Sequence, residues 1–283
     1  MNIFITGSNG YIARNFIKKA INKKIKIFAL TRKKNNPKLK NVKWLVGRID
    51  KNWKELKKSD VLMHFATVGA YDKYVDFKKA YEFNLIKSSK LLINAINNNC
   101  KKWVIISTNK EEKILRSLKQ KKINSTFLKE PHFNYALTKY IFSDLCKSYS
   151  KIFNVKCRII KLFHVYGRDE PKQRLWPLLN SYAKNNKDLK MTSGHQKYDF
   201  NYIDDVIDGL ITTLNFKKKN KRSFPQEWEL ASGKNMSVKQ FAIKIWKKNK
   251  SKKKILFSKI KKFDSSNYLI NKKKLWRINY RQP

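Results

Sequence analysis

The chain has 283 residues, 41% of them hydrophobic and 13% aromatic, and it carries 66 Lys and Arg against 20 Asp and Glu. This composition excludes a disordered polycation, and the length allows one large domain or two modest ones. No apolar run approaches the ~20 residues that span a bilayer, and Met1 leads straight into a strand pattern. We therefore expect a cytoplasmic protein with no membrane partner and no signal peptide.

The formal net charge of +46 invites a nucleic-acid interpretation, because lysine-rich surfaces bind phosphate backbones through counterion release. The lysines are nevertheless scattered through every segment, and specific nucleic-acid binders more often use arginine forks and interleaved aromatic residues. We expect solvated lysines, including the runs at 217–222 and 247–254, and no specific nucleic-acid partner. Such a surface still favours polyanions, including small molecules that carry a diphosphate. The three cysteines are too few for a disulfide framework, and no metal site is expected.

Short β-branched runs alternate with longer amphipathic stretches over the first two thirds of the chain. The runs predict strands at residues 3–5, 25–30, 43–46, 61–64, 103–106 and 157–162, and the stretches predict helices at 12–21, 80–96 and 135–153. Apolar strands that alternate with helices are typical of an α/β fold with a parallel sheet covered on both faces. After residue 168, predicted helices at 175–183, 204–214 and 237–246 and a strand at 228–230 indicate a smaller mixed lobe. The predicted domains are therefore 1–168 and 169–283, interleaved rather than independent.

A glycine-rich turn joins the first predicted strand to the first predicted helix. Its sequence, Gly-Ser-Asn-Gly-Tyr-Ile-Ala at residues 7–13, lets backbone N–H groups and the helix N-terminus approach a pyrophosphate. At this place the turn predicts a dinucleotide site, and the alternative is an ordinary strand–helix turn. Arg32, at the end of the second strand, favours NADP over NAD because arginine accommodates a 2′-phosphate. The alternative for Arg32 is a solvated surface side chain.

Tyr135 and Lys139 lie four residues apart at the start of a predicted helix, so their side chains share one face. A lysine ammonium beside a phenol stabilises the phenolate and lowers the pKa of the tyrosine towards the working range. In isolation this spacing is common in surface pairs. Here Ser107 and Thr108 follow the fifth strand, at the edge where open α/β sheets bind ligands. A hydroxyl at this edge can hold a substrate oxygen while Tyr135 transfers the proton, and the alternative is a helix-cap or loop hydroxyl.

With these motifs in this order, the chain resembles the extended short-chain dehydrogenases/reductases that act on nucleotide sugars, the NAD-dependent epimerases/dehydratases. The resemblance covers nearly the whole chain and also includes His64-Phe65-Ala66-Thr67, Asn84 and the segments 163–167, 194–206 and 231–238. It implies a Rossmann-like doubly wound parallel sheet with a smaller mixed α/β substrate lobe at the C-terminus. It also implies an NADP or NAD cofactor, a nucleoside-diphosphate sugar as substrate, and a homodimer formed by helices 80–96 and 135–153.

The resemblance further implies roles for individual residues. Tyr135 would be the acid/base, Lys139 would bind the nicotinamide ribose, and Thr108 would orient the sugar oxygen while hydride moves at a sugar carbon, usually C4. The cofactor would contact Gly7, Asn9, Gly10, Tyr11, Ile12, Arg32, Phe65, Ala66, Tyr135 and Lys139. The substrate would contact Thr67, Thr108, His164, Arg174, Lys197 and Tyr198.

Some positions depart from the family pattern. Ala13 replaces the third glycine of the turn, and Arg48 replaces an acidic residue that reaches adenine. His164 replaces an asparagine that contacts the substrate. Tyr198 replaces the arginine that meets the diphosphate, so Lys197 or Arg174 would supply that charge instead. Asn109 and Lys110 replace the Asp-Glu pair of the family's 4,6-dehydratases, so elimination of water is not expected.

The segment 189–196 is similar to that of reductases that make deoxy sugars for surface polysaccharides. Together with Arg32, it favours an NADPH-dependent 4-keto reductase over an NAD-retaining 4-epimerase. The remaining alternative is a non-catalytic scaffold of the same fold that binds nucleic acid or a protein partner.

Overall fold

The structure is a computed structural model that describes residues 1–72, 74–120, 128–216, 223–258, 270, 272–281 and 283. The predicted lysine run at 217–222 lies outside these residues, whereas the lysines of the run at 247–254 are exposed as expected. Contacts divide the chain into unit 1, Met1–Lys161 with Leu210–Trp228, and unit 2, Leu162–Gly209 with Glu229–Pro283. Unit 2 begins at Leu162, and Leu210–Trp228 belongs to unit 1. The domains 1–168 and 169–283 stay a prediction.

The strands lie close to the predicted positions, and short ones appear in the second half that the sequence did not reveal. The described residues form β1 (Asn2–Thr6), β2 (Lys26–Thr31), β3 (Val42–Val46), β4 (Val61–His64), β5 (Lys102–Thr108), β6 (Lys156–Leu162), β7 (His164–Tyr166), β8 (Leu189–Met191), β9 (Lys197–Tyr202), β10 (Gln226–Ala231), β11 (Asn235–Ser237), β12 (Ile255–Phe257) and β13 (Leu275–Arg277). The unpredicted strands have three to six residues, too few for a clear periodic pattern.

The helices also follow the predicted order. They are α1 (Tyr11–Ile21), α2 (Phe77–Tyr81), α3 (Ser88–Asn97), α4 (Glu111–Lys119), α5 (Phe133–Ile152), α6 (Leu175–Lys184), α7 (Ile203–Thr212) and α8 (Val238–Lys248), with 3₁₀ turns at Lys54–Lys58 and Lys272–Lys274. A π-helical turn, Glu82–Lys87, joins α2 to α3. No helix within the described ranges has the length and apolar content needed to cross a bilayer.

Parallel strands form the large sheet, whose order is β13–β10–β6–β5–β4–β1–β2–β3. In its register, Phe4 of β1 lies opposite Phe28 of β2 and Leu62 of β4. The central strands are apolar because both faces are covered, and β4 is buried at all four residues. The order 3-2-1-4-5-6 is that of doubly wound dinucleotide-binding sheets. The predicted Rossmann-like α/β fold is therefore confirmed.

Unit 2 has a small mixed sheet in which β9 pairs with β7 in parallel and with β11 in antiparallel orientation. Its core is aromatic, and the rings of Phe200 and Phe241 stack with centroids 4.0 Å apart. Ser237 begins α8 with a capping box that it shares with Gln240. This aromatic packing explains how the short polar segments of unit 2 form an ordered lobe.

Candidate active site

The turn after β1 leaves no room for a side chain at Gly7. Gly7 has a φ of +67°, and a Cβ atom there would lie 2.7 Å from the backbone nitrogen of Ala66. The N–H of Gly10 donates to the carbonyl of Gly7 at 2.8 Å, and Gly10 precedes α1 without a side chain to cap it. The first-turn amides, from Tyr11 and Ile12 onward, can therefore bind an anion. This cradle fits the diphosphate of a dinucleotide.

The end of β2 lies beside this cradle. The side-chain amide of Asn9 donates to the Thr31 hydroxyl at 2.6 Å, which ties the glycine turn to β2. Arg32 follows Thr31 and is exposed. Arg48 donates two hydrogen bonds to Asp50, at 3.0 and 2.7 Å, and the guanidinium lowers the pKa of that carboxyl. The Arg48 charge is thus matched by Asp50.

The buried hydroxyl of Thr6, on β1, bonds the residue that ends β4 and the backbone that follows it. The Thr6 hydroxyl bonds the Nδ1 atom of His64 at 2.8 Å and accepts from the backbone N–H of Ala66 at 3.2 Å. Burial and the nearby charge of Lys139 lower the pKa of His64 to about 3, so this ring is neutral. Phe65, between them, is half-buried. The predicted cofactor contacts Phe65 and Ala66 thus belong to a fixed backbone.

Asn84, in the π-helical turn, fixes the next two residues of this segment. Its Oδ1 atom accepts from the Thr67 hydroxyl at 3.0 Å and from the N–H of Val68 at 2.9 Å. Its Nδ2 atom donates to the Val68 carbonyl at 3.1 Å and to the Thr138 hydroxyl at 3.0 Å. One buried amide therefore connects the loop after β4 with α5.

Lys139 joins α5 to the end of β5. It is 3% exposed, and its Nζ atom donates to the carbonyl of Ile106 at 2.7 Å. Tyr135, 8% exposed, lies one helical turn earlier on the same face. Thr108 ends β5, and its hydroxyl oxygen accepts from the N–H of Lys110 at 3.3 Å. The contact between α5 and β5 thus places the predicted pair beside the strand that carries Thr108.

A buried carboxylate that the sequence analysis missed lies next to this pair. Glu111, the first residue of α4, is 1% exposed and accepts hydrogen bonds from Ser107 and, at 2.7 Å, from Ser143. Its Oε2 atom lies 3.4 Å from the ammonium of Lys161. A lysine inside the apolar strand β6 and a serine four residues after Lys139 were the available signals.

The predicted substrate residues of unit 2 fall into separate groups. The rings of His164 and Tyr198 lie 5.5 Å apart, so these two departures from the family pattern are neighbours. Arg174 pairs with Glu170 at 3.0 Å, and Lys197 is exposed. Within the described residues, no group of three or more His, Cys, Asp or Glu is placed to hold a metal ion.

A doubly wound parallel sheet with a glycine cradle after its first strand defines a dinucleotide-binding α/β protein. The model of the NAD dependent epimerase/dehydratase family matches residues 3–225, and the chain belongs to this family. The resemblance found in the sequence is confirmed.

Individual relatives agree with this assignment. CDP-abequose synthase from Salmonella typhimurium is 25% identical over 257 residues, which are 85% of this chain and 78% of the relative. Human dTDP-D-glucose 4,6-dehydratase is 26% identical over 193 residues, 66% of this chain and 52% of that one. Among solved structures, UDP-glucose 4-epimerase from Thermotoga maritima superimposes with a TM-score of 0.78 at 16% identity, covering 96% of this chain and 91% of the other. That likeness is one of fold.

Proposed function

We propose that the protein is an NAD(P)-dependent oxidoreductase that reduces a keto group, at C4, of a nucleoside-diphosphate sugar. The observation that carries the proposal is the bond from Lys139 to the Ile106 carbonyl, because it joins the helix of Tyr135 and Lys139 to the strand that ends at Thr108. Membership of the epimerase/dehydratase family supports the cofactor and the class of chemistry. The likeness to a synthase of a CDP-linked sugar supports a nucleotide sugar as substrate.

Residues of the cradle and its neighbours would hold the cofactor: Gly7, Asn9, Gly10, Tyr11, Ile12, Arg32, Phe65, Ala66, Tyr135 and Lys139. When bound, the nicotinamide supplies the hydride carrier. No carboxylate ends β2, where one would meet a free ribose 2′-hydroxyl; Thr31 and the exposed Arg32 occupy that place. This arrangement favours NADP over NAD.

The chain's own groups move the proton. The Lys139 ammonium stabilises the phenolate form of Tyr135, so the phenol can give its proton to the sugar oxygen as the carbon is reduced. The Thr108 oxygen already accepts from Lys110, which leaves the hydroxyl hydrogen to donate to the same sugar oxygen. With Asn109 and Lys110 in place of two carboxylates, these two positions supply neither the acid nor the base for dehydration.

Substrate residues are proposed from both units, each in its own setting. Within unit 1 Thr67 is the candidate, and within unit 2 the candidates are the neighbouring His164 and Tyr198. Of the two candidate cations for the diphosphate, Arg174 already pairs with Glu170, whereas Lys197 is exposed. Lys197 is therefore the better candidate.

The experiment follows reduced-nicotinamide absorbance while the protein is incubated with CDP- and dTDP-linked 4-keto sugars and NADPH or NADH. A reductase consumes one NADPH per turnover, whereas a 4-epimerase acting on the 4-hydroxy sugar returns its hydride and gives no net change. Tyr135→Phe should lower kcat by about 10³-fold, within the range for a lost acid/base, and leave cofactor affinity nearly unchanged.

Tyr140→Phe, on the same helix, serves as the matched control and should retain wild-type turnover. A Tyr135→Phe protein that keeps its activity rejects the proposed mechanism. RNA affinity that survives physiological salt, in a protein without turnover, would instead support a binding scaffold.

A further inference from the structure

A row of alternating charges crosses the sheet of unit 1 next to α5, the helix of the proposed catalytic pair. Beyond the contact between Glu111 and Lys161, the Lys161 ammonium lies 2.7 Å from Glu227 on β10. The other oxygen of Glu227 lies 2.8 Å from the ammonium of Lys147 on α5. Lys161 is 4% exposed, and burying such charges is costly unless they are paired. Three adjacent strands and two helices thus share one network.

Glu111 connects this row with the proposed catalytic groups through two serines. Ser107 lies between Ile106, which holds Lys139, and Thr108 on β5. Ser143 lies one helical turn after Lys139 on α5, and both serine hydroxyls donate to the same Glu111 oxygen. Both Lys139 and the Glu111 carboxylate therefore join the strand and the helix that carry the proposed site.

The electrostatic effects on Lys139 and Glu111, like the contacts, connect these two residues. Burial lowers the pKa of Lys139, and Glu111 is the carboxylate that opposes this effect, with a smaller contribution from Cys146 on α5. Burial raises the pKa of Glu111, against which Lys161, the two serines and Lys139 act. His64 on β4 is neutral, so it adds no charge beside Lys139.

We propose that Glu111 is a positioning residue for the Tyr135–Lys139 pair: held by Ser107, Ser143 and Lys161, its carboxylate fixes α5 against β5 and supplies a buried negative charge to the site of Lys139. The inference rests on the proposed function, since it assigns Lys139 the task of holding the cofactor and tuning Tyr135. Loss of the Glu111 charge removes the carboxylate that favours charged Lys139 and leaves Lys161 with Glu227.

Substitutions of the two partners in the Glu111–Lys161 contact should have opposite effects on the pH dependence of activity. Glu111→Gln removes the anion that favours charged Lys139, so activity that needs the ammonium is lost at lower pH. Lys161→Met removes a cation that competes with Lys139 for the Glu111 charge. The alkaline limb of the pH profile, where activity falls as Lys139 loses its proton, should therefore move to higher pH. Shifts of about one pH unit are expected for the gain or loss of a nearby buried charge. If the two substitutions only loosened the packing, the alkaline limbs of both variants would move in the same direction.

The test measures the alkaline limb of kcat and, independently, the pH dependence of NADP⁺ affinity by titration calorimetry. It compares wild type, Glu111→Gln, Lys161→Met, the double variant and Glu112→Gln. Glu112 is the neighbouring carboxylate, paired with Arg116 on the surface of α4, and its variant should behave as wild type. If Glu111→Gln does not fold, the double variant keeps the buried charges balanced, and its limb should lie about one pH unit below that of Lys161→Met.

Opposite shifts of the two single variants, in turnover and in NADP⁺ affinity, support the inference. A folded Glu111→Gln with wild-type limbs, or shifts of both variants in one direction, overturns it. If the wild type turns over no nucleotide sugar but the NADP⁺ limbs still move oppositely, the inference stands and the proposed reaction fails.

Discussion

Burial keeps His64 neutral at the end of β4, where Thr6 bonds one ring nitrogen and Lys139 is near enough to disfavour a second charge. The pKa of this ring is about 3 in the folded chain, against ~6.5 for an unfolded histidine. Between those values the unfolded chain binds more protons, so the free energy of unfolding falls as the pH falls. Between pH 7 and pH 5, this single residue should cost the folded state about 2 kcal/mol.

Urea unfolding at these two pH values measures the effect. Wild type should lose about 2 kcal/mol more stability on acidification than His64→Gln, because the variant has no ring to protonate on unfolding. His195→Gln, at an exposed histidine, should lose as much as wild type. Equal losses in wild type and His64→Gln would contradict the prediction.

At the scale of elements, the π-helical turn between α2 and α3 has a chemical reason. A wider turn interrupts the regular ladder of the helix and is often found at functional sites. Here it carries Asn84, whose amide makes four hydrogen bonds to Thr67, Val68 and Thr138. The turn therefore fixes the loop that follows β4 and, with it, a proposed substrate contact.

Asn84→Leu tests this connection. The substitution keeps the side chain about the same size but leaves buried donors and acceptors unpaired, so the free energy of unfolding should fall by about 3 kcal/mol. Asn97→Leu, at an exposed residue at the end of α3, should change the free energy of unfolding by less than about 0.5 kcal/mol. Both values come from urea unfolding at pH 7, and an Asn84→Leu protein as stable as wild type would show that the four bonds contribute nothing.

The elements that the sequence predicted are those with a strong local pattern. The apolar runs of β1, β4 and β5 are buried on both faces and so show no alternation, and the helix α5 stands out by its length of 20 residues. The helix α4 was missed because only Glu111 and Ile114 of its residues are buried. A charged residue at a buried position carries no apolar signal.

The same limit applies to the site. The glycine turn and the Tyr135–Lys139 pair are local in sequence, so spacing alone revealed them. The Glu111 network is not local, since its partners Ser107, Ser143 and Lys161 come from three other elements. Only the fold shows that they meet.

The net charge of +46 acts on the whole molecule through repulsion between copies. Two copies can approach closely only where an apolar surface compensates for that repulsion. Exposed isoleucines on the π-helical turn, α3 and α5 offer such a surface: Ile86 lies in the turn and Ile93 in α3, and Ile141 and Ile152 are eleven residues apart on one face of α5. Their exposed fractions are 41%, 45%, 40% and 70%.

We therefore expect a homodimer formed by these helices, and its salt dependence should follow from the charge. Because like charges repel and salt screens them, raising the salt from ~20 to ~200 mM should tighten the dimer, measured by sedimentation velocity. Ile93→Lys should shift the protein to monomer by placing two more cations in the apolar contact. Leu256→Lys, at a residue 46% exposed on β12, changes the net charge equally and should leave the dimer intact. A dimer that weakens with salt, or that Leu256→Lys disrupts as much as Ile93→Lys, would place the interface elsewhere.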